Sequence, residues 1–220
     1  MYPLLPIRKP LLCFVTDRRG LSNDPVQAKK FLLDKIEQAA RAGVDWIQLR
    51  EKDLSGRELG ELTEGAVHRI GTVCRLLVND RLDIALVDGA AGVHLGESSL
   101  PLVEAKRLAN KRRMSGNFVV GASVHSLQAA QQAERDGADY LIFGPVFATP
   151  SKASFGAPQG LTKLRENCKT IKIPVIAIGG ITADNFGECL QAGASGIAAI
   201  RLFQEAEDLP ALVSRLRGTD

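Results

Sequence analysis

Eight short apolar runs, many of them β-branched, recur along nearly the whole chain. They occupy 12–16, 46–49, 76–78, 92–95, 119–122, 140–143, 175–178 and 196–200. Runs this short, with no strict polar alternation, suit parallel strands that are covered on both faces. Longer amphipathic segments separate them. In 25–42, Phe31, Leu32, Ile36 and Ala39 fall at helical spacing, and Gly43 follows. Ser55 and Glu58 have the spacing of a capping box. A helix that begins at Ser126 runs through Arg135 and stops before Gly137, and Thr182 is read as the cap of another that ends near Gly193.

Three stretches, RAGVDWIQL, RDGADYLIF and QAGASGIAA, share one form: helix end, glycine, two or three residues, strand. That is an αβ connection closed by a left-handed glycine. Eight such alternations without a linker predict an α/β chain folded as a single-domain (β/α)8 barrel over 1–220, with 1–10 as an N-terminal extension. A doubly wound open sheet is the alternative. The near-equal size of the units, and the lack of a GxGxxG after the first run, favour closure.

Composition narrows the class. The 220 residues are 45% hydrophobic and 24% charged, with a net charge of +3. This is the balance of an ordinary globular domain, and the charge is too small to argue for nucleic acid or an anionic membrane. Cys13, Cys74, Cys168 and Cys189 are dispersed and form no CxxC pair, which reads as free thiols rather than a zinc or redox site. The opening MYPLLPIRKPLLCFV is broken by prolines and by Arg8 and Lys9, a poor signal peptide, and no apolar stretch reaches membrane-span length. The expectation is a cytoplasmic protein, with a homo-oligomer left open.

In such a barrel, chemistry gathers just after each strand. In QLREKD (48–53), Gln48, Arg50 and Lys52 share a face if the extended geometry persists, and two cations with an amide suit a phosphate or pyrophosphate. The other reading is a solvated loop in which Glu51 and Asp53 pair the bases. In VNDRLDIAL (78–86), Asp80 suits Mg²⁺ or, equally, caps the helix 81–86 together with Asn79. Gly179 and Gly180 run from a buried strand into a helix, so their bare amides make either an anion site or a tightly packed turn. Arg201, read as the end of the eighth strand, adds a charge to the same anion.

The loop GPVFATPSKASFGAPQG (144–160) is long enough to be a binding loop, with Thr149, Ser151 and Lys152 as donors. Ser123 ends the fifth strand, and His125 just beyond it suits acid–base work or a solvent-facing helix start. His68 is read as surface and His94 as a hydrogen-bonded core residue.

Taken together, QLREKD, NDR, GVHLGE, GASVHS, GADYLIFGPVFATPSK and IPVIAIGGIT, in this order, resemble the thiamine phosphate synthase family, which also has a thiazole tautomerase branch. The resemblance runs from VTDRR at 15–19 to GASGIAAI at 193–200. It implies a barrel that joins a hydroxymethylpyrimidine pyrophosphate to a hydroxyethylthiazole phosphate and releases pyrophosphate. By resemblance, Gln48, Leu49, Arg50, Glu51, Lys52, Asn79, Ser123 and Lys152 hold the pyrimidine pyrophosphate. Asp80 binds Mg²⁺. Thr149, Pro150, Ser151, Gly180, Ile200 and Arg201 hold the thiazole phosphate. Arg50, Lys52, Lys152 and the metal neutralise the leaving group, and Ser123 joins them as a catalytic residue.

Two departures from the family pattern stand out. Ser99 occupies the place of the family's second metal-binding aspartate, with Glu97 displaced by two residues, and Arg201 stands where a serine is usual. The first favours the tautomerase branch, in which His125 would be the acid–base residue and no metal is needed. The persistence of Asp80, QLREK and PSK favours the synthase. A non-catalytic sensor of phosphorylated ligands is a third reading.

Overall fold

The computed structural model describes residues 10–111, 118–149 and 157–218. Its strands are β1 (Leu11–Val15), β2 (Trp46–Leu49), β3 (Arg75–Asn79), β4 (Gly92–Leu95), β5 (Val119–Val124), β6 (Tyr140–Phe143), β7 (Val175–Ile178) and β8 (Gly196–Ala199). They pair in sequence order, all parallel, and β8 closes on β1, so the predicted (β/α)8 barrel stands. The helices are α1 (Pro25–Ala42), α2 (Gly56–Ile70), α3 (Leu82–Val87), α4 (Leu102–Lys111), α5 (Leu127–Arg135), α6 (Gly160–Thr170), α7 (Phe186–Gln191), α8 (Arg201–Gln204) and α9 (Leu209–Arg217). Among the described residues, no helix is long and apolar enough to cross a membrane. Residues 1–9, most of the expected N-terminal extension, lie outside the described residues.

Local chemistry explains much of this. Ser55 and Glu58 form the capping box, each side chain satisfying the other's end of the first turn of α2. The repeat glycines Gly43, Gly137 and Gly193 have φ of 96°, 90° and 102°, the left-handed turn expected between helix and strand. Thr182 does not start its helix. Its hydroxyl accepts from the Asp184 and Asn185 amides in a turn, and α7 begins only at Phe186. The reason is that a Thr hydroxyl satisfies a tight turn as readily as a helix start.

Each strand is buried on both faces. Leu11, Cys13, Val15, Trp46, Leu77, Tyr140, Ile142, Ile176 and Ala198 fill the barrel interior. Alternate residues such as Leu12, Phe14, Ile47, Leu49, Val78 and Val93 pack outward against the helices. Tyr140 fits because Gly121 lies beside it: a Cβ at Gly121 would come within 2.0 Å of the phenol ring. At the N-terminal end of the barrel, Arg217 of α9 reaches the Pro10 carbonyl at 2.5 Å, the Gly43 carbonyl at 2.9 Å and Asp45 at 2.7 Å. Asp45 in turn accepts from the Leu12 amide at 2.8 Å. The last helix is thereby fastened to the first strand and to the α1–β2 turn.

Candidate active site

Because every strand is parallel, all eight C-terminal ends open on one rim. Strand parity then decides which side chains enter it. Trp46 and Leu77 face the interior, so Gln48 and Asn79, two residues on, face it too. Gln48 donates its Nε2 hydrogen to Asn79 Oδ1 at 2.8 Å. Asn79 donates from Nδ2 to Asp80 Oδ2 at 2.6 Å. Lys52 Nζ stands 3.7 Å from that same oxygen. Gln48 is 3% exposed, and its Oε1 is a buried acceptor with no partner among the described residues.

The stretch after β2 is not extended. The chain turns at 52–53, so strand geometry carries Gln48 but not Lys52, and these two are joined instead through the Gln48–Asn79–Asp80–Lys52 chain. Glu51 and Asp53 do pair bases, but those of the β1 end. Glu51, 4% exposed, accepts from the Thr16 hydroxyl at 2.6 Å and from Arg18 Nη1 at 3.1 Å. Arg18 also clasps Asp53 through both terminal nitrogens, at 2.6 and 2.5 Å. Burial pushes the Glu51 carboxyl up against the pull of Thr16 and Arg18, while Arg18 holds Asp53 well below the usual carboxylate range. The Thr16 oxygen accepts the Arg50 amide at 3.0 Å, which pins the backbone of the cationic segment. No carboxylate among the described residues lies within salt-bridge distance of Arg50.

Two of the expected binding residues therefore need correction. The Leu49 side chain lies in the helix-facing layer, because strand parity turns it away from Gln48, and only its backbone borders the rim. The Glu51 carboxylate is occupied by Thr16 and Arg18, so it supports the loop rather than facing the mouth. Thr16 and Arg18 were legible only as polar residues at a strand end. Their Thr-x-Arg spacing at the level of QLREKD was the available signal of a support.

Asp80 is no helix cap. It has φ of 62°, and α3 starts after Arg81 with no capping side chain. Its Oδ1 receives the Gly96 amide at 3.2 Å and the Ser99 hydroxyl. Burial raises the Asp80 carboxyl, but Ser99, Gly96 and Lys52 outweigh that and hold it below its ordinary value. Glu97 is turned elsewhere: its Oε1 lies 3.9 Å from His125 Nε2. The other His125 nitrogen, Nδ1, meets the Gly144 carbonyl. Since a carbonyl only accepts, Nδ1 carries the hydrogen, and Nε2 faces Glu97.

His94 is the core histidine expected. It is 1% exposed, with Nδ1 at 3.0 Å from the Tyr140 hydroxyl and Nε2 at 2.8 Å from Ser123 Oγ. Burial pushes its imidazole down to about 4, Asp80 opposing and Arg50 adding to the shift. Ser123 lies within β5, which runs two residues past the apolar run, and it faces inward. His68 is exposed on α2.

On the opposite arc, Gly179 and Gly180 form a packed turn with φ of 99° and 65°. A Cβ on Gly180 would come within 2.5 Å of the Ala148 carbonyl. They do not open a helix, since α7 starts six residues later; Asn185 instead donates to the Gly180 carbonyl at 2.9 Å. β8 ends at Ala199, so Arg201 is not its last residue but the exposed first residue of the short α8. Ile200, half-buried, packs on the barrel interior. Thr149 borders the same arc, whereas Pro150, Ser151 and Lys152 lie outside the described residues.

The family model described as thiamine monophosphate synthase matches residues 12–203, which include every strand end named above. The chain belongs to this family. A thiamine-phosphate synthase from Chlorobium luteolum is 40% identical over 203 residues, covering 90% of this chain and 87% of the relative. Another, from Methanoculleus marisnigri, is 43% identical over 186 residues, covering 84% and 85%. Among solved structures, a thiamine phosphate pyrophosphorylase from Pyrococcus furiosus superposes with a TM-score of 0.81 at 36% identity, covering 97% of this chain and 96% of that one.

Proposed function

We propose that the protein is a thiamine phosphate synthase that joins 4-amino-5-hydroxymethyl-2-methylpyrimidine pyrophosphate to hydroxyethylthiazole phosphate. The carrying observation is the unpartnered, buried Gln48 Oε1 on the strand that leads into Arg50 and Lys52, with Lys52 linked to Gln48 through Asn79 and Asp80. A buried acceptor without a donor is costly, and an amino group on the ligand relieves that cost. The neighbouring cations suit the pyrophosphate on the same molecule. One ligand bearing both groups answers both demands.

The bond between the pyrimidine's methylene carbon and pyrophosphate oxygen breaks, and the electron pair leaves with pyrophosphate. The thiazole nitrogen then bonds to that carbon. Such a step asks for neutralised charge on the leaving group and an aligned partner, more than for a general base. Arg50 and Lys52 neutralise, joined by Lys152 in this reading. Ser123 and Asn79 orient the pyrimidine side, and Thr149 to Ser151, Gly180 and the 200–201 stretch hold the thiazole phosphate.

Mg²⁺ belongs to the same reading. Magnesium takes one or two carboxylates and leaves its other positions to water and phosphate oxygens. Asp80, with the Ser99 hydroxyl beside it, fits an ion shared chiefly with the substrate's pyrophosphate. The ion would add positive charge at the leaving group. A cytoplasmic location agrees with Cys13, Cys74 and Cys189 being buried free thiols.

The test combines both substrates with Mg²⁺ and follows pyrophosphate and thiamine phosphate. Stoichiometric release of both is the expected result, and Gln48→Ala should raise the KM for the pyrimidine substrate roughly tenfold, the value of a buried hydrogen bond. Conversion of a thiazole tautomer without pyrophosphate would mean an isomerase. Binding with neither reaction would mean a sensor.

A further inference from the structure

Tyr140, His94 and Ser123 form a hydrogen-bonded line from the barrel interior to its mouth. A count of hydrogens fixes its direction. Tyr140 is 1% exposed, its ring packed edge-on against Trp46 and over Gly121. Its hydroxyl has one hydrogen to place, and His94 Nδ1 is the acceptor it meets among the described residues. A buried hydroxyl hydrogen without an acceptor is costly, so Tyr140 donates and Nδ1 carries no hydrogen. A neutral imidazole must then carry its hydrogen on Nε2. That hydrogen points at Ser123 Oγ, 2.8 Å away. A doubly protonated ring would strand the Tyr140 hydrogen, and no carboxylate among the described residues hydrogen-bonds the ring to compensate such a charge.

We propose that His94, backed by Tyr140, is a positioning residue whose Nε2 hydrogen holds Ser123 as a hydrogen-bond donor aimed into the barrel mouth. Oγ already accepts from the imidazole, so its own hydrogen turns away from the ring. There it meets an acceptor on the bound ligand, which on the functional reading above is an oxygen of the phosphorylated pyrimidine. The reverse arrangement, with Ser123 donating to a bare Nε2, would present lone pairs to an anionic ligand and repel it. The ligand's identity rests on the proposed function, but the hydrogen placement does not.

Two measurements test it. In the ligand-free protein labelled with ¹⁵N-histidine at neutral pH, His94 should show a protonated Nε2 and a bare Nδ1. A bare Nε2, or protons on both nitrogens, overturns the proposal. The second is a double-mutant cycle on kcat/KM for pyrophosphate release. Tyr140→Phe should lower kcat/KM by about three- to tenfold in the wild-type background, the range of one hydrogen bond, and by about twofold or less in Ser123→Ala. Equal losses in the two backgrounds would mean that Tyr140 and His94 do not act through Ser123. If the wild-type protein releases no pyrophosphate, the functional reading falls, and the ¹⁵N spectrum alone decides the hydrogen placement.

Discussion

Ser99 donates its hydroxyl to Oδ1 of Asp80, the oxygen that also receives the Gly96 amide at 3.2 Å. The position that the family resemblance assigns to a second metal carboxylate thus holds a donor to the first. Asp80 consequently stands among donors, with Asn79 and Lys52 on its other oxygen. Ser99→Asp should restore a paired carboxylate and raise Mg²⁺ affinity roughly tenfold, since affinity for hard cations follows the number of charged ligands. The same change should lower the melting temperature of the metal-free protein through repulsion between the two carboxylates. Calorimetric titration and thermal unfolding with and without Mg²⁺ read both effects. Unaltered Mg²⁺ affinity would remove the ion from Asp80.

Histidine 94 sets a pH dependence of a defined sign. Its folded value of about 4 lies below the ordinary 6.5, so the unfolded chain binds the proton first. The stability it contributes is complete above pH 6.5 and is lost as pH falls from there through about 4. The difference amounts to roughly 3 kcal/mol. Urea unfolding between pH 7 and 4 should show this loss, and His94→Gln should lack it. A wild-type midpoint that does not move across that interval would contradict a buried neutral imidazole.

Arg217 joins the last helix to the beginning of the barrel. With the Arg217 and Asp45 side chains 10% and 17% exposed, removing the cation takes the counter-charge from a mostly buried carboxylate and a donor from each of two carbonyls. Arg217→Ala should cost about 3 kcal/mol, which lowers the melting temperature by roughly 6–12 °C. Because the contact lies at the N-terminal end, away from the rim, kcat/KM at moderate temperature should stay near the wild-type value. A strong loss of turnover without loss of stability would refute this separation.

The strands were legible because a strand covered on both faces spells a short continuous apolar run, and turn glycines such as Gly43 and Gly137 punctuate it. Their ends were less legible: Arg75, Asn79 and Ser123 belong to strands although they are polar, since barrel interiors and rims accept polar side chains that find partners. QLREKD drew attention as a cationic strand end, but its letters do not say which of them face the mouth. Arg50 stays at the rim while Glu51 is buried, and the turn at 52–53 that decides this depends on Thr16 and Arg18, more than thirty residues earlier.

The sequence alone determined the (β/α)8 architecture, the family, and which segments follow the strand ends, because periodicity and punctuation are local properties of the chain. Tertiary structure alone decided that Asp80 is held by Ser99 rather than capping a helix, and that Leu49 faces the helices. It also decided that Tyr140 stands behind His94. Each of these follows from barrel closure, which brings together groups distant in sequence and makes the satisfaction of buried polar atoms a shared condition that no single segment contains.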